Sequence, residues 1–369
     1  MKLLVTGSNG FVGKNLVAEL KNKGYTQIFE YNRESDSSLL EHYTKECDFV
    51  FHLAGVNRPQ DDKEFMEGNY RWTSELLELL KKHNNKAPVL LTSSIQAEKE
   101  NPYGTSKKAG EDLLFSYSKE TGAKALVYRL PNLFGKWCKP NYNSVVATFC
   151  HNIARGLDIQ IHDPDVELTL CYIDDVLEEF LNSLDGNETK DGDFCKVPVT
   201  HTIKVGELAT KIKDFIKNRE TLIMPSLENK FDKALYGTLL SYLPEDNFSY
   251  HLKKNEDDRG WLAEFIKSNS MGQIFISKTK PGITRGNHWH HTKVEKFLVI
   301  QGEAVIKFRK IDTEEVIEYN VNGDTPEVVD IPVGYTHSIT NIGNGELITL
   351  FWASEILNPE KKDTYWVEV

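Results

Sequence analysis

The sequence lacks several features that would each indicate a class of protein. It has five cysteines and no C-x-x-C pair, which predicts a reduced, cytoplasmic protein without a disulfide framework. No apolar run approaches the roughly 20 residues of a membrane span. The first predicted strand begins at Lys2, so we expect no signal peptide. Basic residues are in deficit, and the formal net charge of −11 excludes nucleic acid and anionic membranes as expected partners.

No cysteine lies beyond Cys195, so the part of the chain that contains His288 has none. A metal bound in that part would therefore have nitrogen and oxygen ligands instead of thiolates. The length of 369 residues exceeds one ordinary core and suits two domains.

The two halves differ in their hydrophobic rhythm. From Lys2 to about Asn182, short apolar runs such as "KLLVTG" and "DFVFHLAG" alternate with amphipathic helical stretches, which predicts an α/β domain with a Rossmann-type, doubly wound parallel sheet. From Gly272 onward only strand patterns occur, separated by turn signals, which predicts an all-β barrel or sandwich. A polar, charged stretch lies between them, and we place the domains at 1–246 and 247–369.

The first βα unit contains a glycine-rich turn, "TGSNGFVG", with Gly7, Gly10 and Gly13. Glycine allows a tight turn and lets the backbone approach a pyrophosphate at a helix N-terminus. The position between a strand and a helix favours a dinucleotide site over the alternative, a plain tight turn.

A tyrosine and a lysine four residues apart, Tyr103 and Lys107, follow the predicted strand "VLLTSS". If a helix has begun there, the two side chains share a face. A lysine so placed can hold the nicotinamide ribose and lower the pKa of the tyrosine hydroxyl, which makes the tyrosine a usable acid. Ser94 could hold the carbonyl group that is reduced.

These motifs, in this order, resemble the extended short-chain dehydrogenase/reductase family over about residues 1–245. The resemblance also covers Asn69, "YRLPNLFG" and "YIDDV". It implies a catalytic trio of Ser94, Tyr103 and Lys107, with Ser93 as the alternative serine, and it implies that nucleotide sugars are frequent substrates. The cofactor-binding residues that it implies are Gly7, Asn9, Gly10, Phe11, Gly13, Arg33, Leu53, Ala54, Gly55 and Lys107.

Two details narrow the chemistry. An arginine, Arg33, follows the second predicted strand, where an acidic residue would repel a 2′-phosphate, so we expect NADPH as the cofactor. An exposed loop arginine is the alternative, and Glu30 and Glu34 weaken the case. Related 4,6-dehydratases place an acidic pair directly after the serine or threonine, whereas Ile95 and Gln96 follow Ser94 here, which favours ketone reduction.

A dense group of potential metal ligands occurs in "GITRGNHWHHTKVEKFLVIQG", and His337 follows later. Alternation along a strand points His288 and His290 to one face and His291 to the other. Three imidazoles and the Glu295 carboxylate suit zinc, iron, nickel or manganese. The spacing resembles both motifs of the cupin family, except that Pro326 replaces the opening glycine of the second. The resemblance implies a jelly-roll barrel with a divalent metal, expected to be zinc, on His288, His290, Glu295 and His337.

The whole arrangement resembles bifunctional capsular-polysaccharide enzymes, in which a cupin follows a short-chain reductase. That resemblance implies a homodimer acting on a UDP-linked N-acetyl 6-deoxy-4-hexulose: the cupin would epimerise C3 and the reductase would reduce C4, giving UDP-N-acetyl-6-deoxy-L-talosamine. Lys293, Lys296 and Tyr335 are candidate acid–base residues for epimerisation. Two alternatives stay open: a single-activity reductase with a structural cupin, and an iron oxygenase with a reductase attached.

Overall fold

The computed structural model describes residues 1–59, 61–360 and 363–369, which form two compact units. The first comprises Met1–Lys213 and Glu228–Pro244, and the second comprises Asp214–Leu227 and Glu245–Val369. No helix among the described residues is long and apolar enough to cross a membrane.

Strands before residue 205 build the sheets of the first unit. They are β1 Leu3–Thr6, β2 Ile28–Tyr31, β3 Phe49–His52, β4 Val89–Ser94, β5 Ala125–Leu130, β6 Asn132–Phe134, β7 Glu167–Tyr172, β8 Lys190–Asp191, β9 Phe194–Cys195 and β10 His201–Lys204. The order β2-β1-β3-β4-β5-β9-β8 gives a seven-stranded sheet, parallel except for its last pair, and β10-β7-β6 form a small second sheet.

Helices lie between these strands and after the last of them, as strand–helix alternation predicts. They are α1 Phe11–Asn22, α2 Ser37–Glu46, α3 Lys63–Phe65, α4 Trp72–Lys82, α5 Pro102–Thr121, α6 Val145–Ile153, α7 Ile173–Leu184, α8 Val205–Ile216, α9 Asn218–Thr221 and α10 Lys230–Leu240. A π-helical turn, Met66–Arg71, precedes α4, and short 3₁₀ turns cover Ile95–Glu98 and Glu245–Asn247.

The large sheet is buried on both faces, because successive side chains of a strand point to opposite sides. Leu3 and Val5 of β1 pack in one core with α1 and α7, whereas Leu4 packs in the other core with α4 and α5. The predicted doubly wound parallel sheet is thus confirmed.

The second unit is built from antiparallel strands. They are β11 Lys254–Asp257, β12 Gly260–Ser268, β13 Gly272–Thr279, β14 Thr284–Trp289, β15 Glu295–Gln301, β16 Glu303–Lys310, β17 Val316–Asn322, β18 Val328–Ile331, β19 Tyr335–Asn341, β20 Leu347–Ala353 and β21 Tyr365–Trp366. Two sheets result, β11-β12-β13-β20-β15-β18 and β17-β16-β19-β14-β21. Their inner faces share one core, in which Phe297 and Phe351 of the first sheet meet Ile306 and Ile339 of the second. The predicted all-β barrel is confirmed.

One stretch lies elsewhere than the sequence suggested. Residues 214–227 fall in the predicted first domain, yet they group with the second unit. The reason is main-chain hydrogen bonding: Lys267 of β12 donates from its N–H to the carbonyl of Leu222 at 2.8 Å and accepts from the N–H of Met224 at 2.8 Å.

Candidate active sites

The glycine-rich turn brings the chain into close contact with itself between β1 and α1. Gly7 has φ of +70°, and a Cβ there would lie 2.8 Å from the backbone nitrogen of Ala54. A Cβ on Gly13 would lie 2.2 Å from the carbonyl oxygen of Gly7. Both positions therefore require glycine, and the N-terminus of α1 is left open at the end of the turn.

A cavity of about 390 Å³ opens beside this turn. Leu40, Trp72 and Leu76 give it an apolar wall suited to an adenine ring. Arg33 also lines it, at the end of β2 where a 2′-phosphate would be recognised. Of the predicted cofactor residues, the cavity is lined by Gly7, Asn9, Gly10, Arg33, Leu53, Ala54 and Gly55.

The remaining three predicted cofactor residues lie around this cavity without lining it. Phe11 is half-buried against the core beneath β1. Gly13 permits the close approach of α1 to the turn. Lys107 lies on the neighbouring helix α5.

His52 lines the cavity and forms hydrogen bonds with two buried hydroxyl groups. Its Nδ1 lies 2.8 Å from the Thr6 hydroxyl and its Nε2 lies 2.9 Å from the Thr73 hydroxyl. Because Thr73 donates its own proton to the Asn69 carbonyl at 2.6 Å, His52 carries its proton on Nε2 and accepts from Thr6. Burial, followed by the nearby Lys107, lowers the pKa of His52 to about 3, so the ring stays neutral. The sequence showed this histidine in "FHLAG", but its partners are distant in sequence.

Helix α5 places the tyrosine and the lysine. The Asn101 side chain caps the helix by accepting from the Gly104 N–H at 2.8 Å, and Pro102 occupies its first turn. The helix therefore already includes Tyr103, and the Lys107 ammonium lies 6.0 Å from the centroid of the Tyr103 ring. The ammonium donates to the Thr92 carbonyl at 3.1 Å.

The structure separates the two candidate serines. Ser93 is buried and its hydroxyl donates to the Glu111 carboxylate, which also receives the Arg129 guanidinium. Ser94 ends β4, and its hydroxyl accepts from the Gln96 N–H at 3.1 Å and lies near enough to Tyr103 to lower the pKa of the tyrosine. The Tyr103 hydroxyl donates to the Asn57 side chain at 3.3 Å. Ser94 is therefore the more accessible of the two serines.

Burial changes the acidity of both members of the pair. It raises the pKa of Tyr103, while the nearby Ser94 lowers it. It lowers the pKa of Lys107 to about 8, against the effect of Glu111, which favours the charged ammonium. Lys107 is thus positively charged at pH 7 and close to losing its proton in mildly alkaline solution.

The second unit gathers the four predicted metal ligands at one end of its barrel. Among the described residues, His288, His290, Glu295 and His337 offer ligand atoms that all lie within 4.8 Å of one another. A bulge at Asn287, with φ of +58°, precedes His288 in β14. His291 is exposed, as predicted, and its ring contacts Trp289 and Tyr365.

The chemistry of these four side chains fits a divalent cation. The Nε2 atoms of His290 and His337 are buried without a hydrogen-bond partner, and each faces Oε2 of Glu295, at 3.5 and 3.3 Å. Burial, followed by the neighbouring His337, lowers the pKa of His288 to about 4, so this imidazole is neutral at pH 7 and has a free lone pair. Zinc and related ions bind such a set of buried imidazole nitrogens and a carboxylate oxygen that face one another.

The three acid–base candidates have different surroundings. Lys293 is almost buried, and its ammonium lies 3.5 Å from Oε1 of Glu295. Lys296 is exposed and pairs with Asp330, while Tyr335 packs against the barrel core. Of the three, Lys293 is the one placed beside the ligands.

Comparison with known proteins finds a matching family for each of the two units. Residues 3–194 match the NAD dependent epimerase/dehydratase family, and residues 255–365 match the polysaccharide biosynthesis C-terminal domain. A Pseudomonas aeruginosa protein named UDP-2-acetamido-2,6-beta-L-arabino-hexul-4-ose reductase is 45% identical over 99% of this chain and 98% of its own length. A Bacillus subtilis spore coat polysaccharide biosynthesis protein, SpsL, is 25% identical and covers 30% of this chain and 81% of itself.

A solved structure matches the whole chain. The crystal structure of the capsular polysaccharide assembling protein CapF from Staphylococcus aureus has a TM-score of 0.95 and 49% identity, with all of both chains covered. The predicted fusion of an extended short-chain dehydrogenase/reductase with a C-terminal, cupin-like β domain, as in capsular-polysaccharide enzymes, is confirmed.

Proposed function

This chain belongs to the NAD dependent epimerase/dehydratase family, and from that membership we propose that it is a bifunctional nucleotide-sugar enzyme. The observation that carries the proposal is the presence of two separate sites in one chain. The first unit holds Ser94, Tyr103 and Lys107 beside a dinucleotide-type turn, and the second holds a four-ligand cluster. The substrate class comes from the reductase relative in P. aeruginosa, which is similar over its whole length.

The first site reduces a ketone. The glycine-rich turn at residues 7–13 and Arg33 would hold NADPH, which would supply a hydride for C4 of the sugar. Ser94 donates a hydrogen bond to the carbonyl oxygen, and Tyr103 gives it a proton, so that the ketone becomes a hydroxyl. Lys107 contributes a positive charge that favours the tyrosinate left behind.

The preference for NADPH rests on Arg33. Its side chain lines the cavity at the end of β2, and a guanidinium there can pair with a 2′-phosphate. Asn32 occupies the preceding position, where an acidic residue would favour NADH.

The second site inverts C3 of a UDP-linked 2-acetamido-2,6-dideoxy-4-hexulose. The proton on C3 is acidic because the C4 ketone beside it stabilises the carbanion as an enolate. A divalent metal, zinc in this proposal, would supply positive charge at that end of the barrel. His288, His290, Glu295 and His337 would hold it, and Lys293 would be the nearest proton carrier. Reduction of the epimerised ketone then yields UDP-N-acetyl-6-deoxy-L-talosamine.

A second candidate is a reductase whose barrel has no activity of its own. The name of the P. aeruginosa relative favours it, because that name gives only a reductase. The two candidates differ in one property, which is whether the chain catalyses exchange at C3 when no reduction can occur.

Proton NMR in heavy water separates them. The chain is incubated with a UDP-linked 4-keto-6-deoxy-N-acetyl sugar, first without NADPH and then with it. We expect the C3 proton signal to disappear without NADPH and a new C4 proton signal to appear only with it. Persistence of the C3 signal, together with normal reduction of independently epimerised ketone, would favour the single-activity reductase.

A further inference from the structure

The end of the chain lies along the strand that carries the histidines. We call residues 363–369 the C-terminal strap. Its strand β21 pairs with β14, with Trp366 opposite His288 and Tyr365 opposite Trp289. Val367 donates from its N–H to the Asn287 carbonyl at 3.0 Å and accepts from the Thr336 hydroxyl, next to His337. The strap is thus bonded to the neighbours of two predicted ligands.

Asp363 is the first residue of the strap, and its carboxylate accepts hydrogen bonds from the turn that follows His290. Oδ1 accepts from the N–H of His291 at 2.9 Å. Oδ2 accepts from the N–H groups of Thr292 at 2.8 Å and Lys293 at 2.9 Å, and from the Thr292 hydroxyl at 3.0 Å. Three consecutive backbone N–H groups around one carboxylate fix the path of the turn between His290 and Glu295.

The main chain of Asp363 acts on His290 directly. Its carbonyl oxygen can only accept, so Nδ1 of His290 donates its proton there. The ring is therefore the tautomer with a free lone pair on Nε2, and that atom is buried, unpaired and 3.5 Å from Glu295. A hydrogen bond to the second ring nitrogen is the usual way in which a protein orients a ligating histidine.

The strap also holds Lys293. Its ammonium donates to the Thr364 hydroxyl at 3.2 Å and lies 3.5 Å from the Glu295 carboxylate. One short segment therefore contacts a ligand histidine, the turn that links it to the ligand glutamate, and the lysine beside them.

We propose that Asp363 is a positioning residue for the metal site, which sets the tautomer and orientation of His290 through the C-terminal strap. The inference rests on the proposed metal site. Asp363 itself is no ligand, because its carboxylate is occupied by the 291–293 turn. Without that anchor, the turn and the carbonyl on Nδ1 would move, and the Nε2 atom would lose its fixed direction.

Asp363→Asn tests this. The amide keeps the size of the side chain, but only one of its two end atoms can accept a hydrogen bond, so it cannot accept from all four donors that the carboxylate now binds. Zinc affinity of the full chain, measured by competition with a chelator, should fall by about 10- to 100-fold. Asp312→Asn is the matched control, since Asp312 is exposed and pairs only with Lys310 at 3.1 Å among the described contacts, and it should leave zinc affinity unchanged.

A second measurement needs no metal. In the metal-free chain with ¹⁵N-labelled histidine, ¹⁵N NMR spectra should show one tautomer of His290, with the proton on Nδ1. In the Asp363→Asn variant, the spectra should show a mixture of tautomers. A change in packing that spared His290 would not alter that signal. Should Asp363→Asn unfold, Thr292→Ala replaces it; this change removes one of the four bonds, and we expect zinc affinity to fall about 2- to 10-fold.

The outcomes distinguish the inference from the proposed function. Equal zinc affinity in the wild type and a folded variant, or an unchanged His290 tautomer, would overturn the role of Asp363 alone. A wild-type chain that binds no zinc would overturn the zinc site, and the role of Asp363 with it.

Discussion

The Lys107 ammonium group is buried, and its loss of a proton should change the rate of the proposed reduction. With a pKa lowered to about 8 by burial, it is charged below that pH and neutral above it. The charge favours a tyrosinate on Tyr103, so turnover in the reduction should fall as pH rises through about 8. In Lys107→Arg the charge persists to much higher pH, so the fall should move upward. A pH profile of kcat tests this, and a wild-type profile that is flat to strongly alkaline pH would contradict it.

Tyr103 supplies the proton in the proposed reduction. Tyr103→Phe removes only the hydroxyl group, so turnover should fall by roughly 10² or more. Binding of NADPH, followed by fluorescence titration, should stay unchanged because the ring remains in place. Near-normal turnover would remove Tyr103 from the mechanism.

Arg33 should determine the choice of cofactor. A charge-assisted contact with the 2′-phosphate is worth roughly 1.5–3 kcal/mol. Arg33→Ala should therefore weaken binding of NADPH by about that amount and leave NADH almost unaffected. If titration shows equal weakening of the two cofactors, Arg33 does not contact the phosphate.

At the scale of elements, the turn between β1 and α1 depends on the absence of side chains. In Gly13→Ala the new Cβ would lie 2.2 Å from the Gly7 carbonyl oxygen, which is backbone and cannot give way easily. Overpacking of this kind costs about 1–3 kcal/mol of stability, and the displaced turn should also bind NADPH more weakly.

Gly237→Ala is the matched control for that change. Gly237 also lies in a helix, α10, but nothing lies within 4 Å of a Cβ placed there. Alanine should leave stability unchanged or raise it by about 0.5–1 kcal/mol. Thermal melts of both variants decide the matter, and equal melting temperatures would show that the close approach at Gly13 is unimportant.

At the scale of the whole molecule, the two activities should separate. The proposed metal ligands belong to the second unit, and the predicted cofactor residues belong to the first. His290→Ala should lose metal and C3 exchange, while reduction of supplied epimerised ketone by NADPH should remain. Metal analysis and the heavy-water exchange assay measure the first two, and a thermal melt shows whether the barrel stays folded without metal.

His291→Ala serves as the control, because His291 is the adjacent histidine with an exposed side chain. It should retain both metal and exchange. Undiminished exchange in a folded, metal-free His290→Ala variant would mean that epimerisation does not need the metal.

The sequence by itself determined the two fold classes, the pairing of His288 with His290 and the tyrosine–lysine pair. These features depend on local periodicity and short spacings: a strand alternates every second residue, and a helix brings residues four apart onto one face. His288 and His290 could thus be paired from their spacing. His337 was added by family resemblance, since nothing local links it to them.

The tertiary structure decided what depends on residues far apart in the chain. It separated Ser94 from Ser93 by burying Ser93 against Glu111, and it moved residues 214–227 to the second unit through bonds with β12. It also brought Asp363 to the turn after His290, 70 to 72 residues away. An aspartate near a chain end has no periodic pattern of its own, and its partners are backbone N–H groups that every sequence offers, so only the folded barrel could reveal the contact.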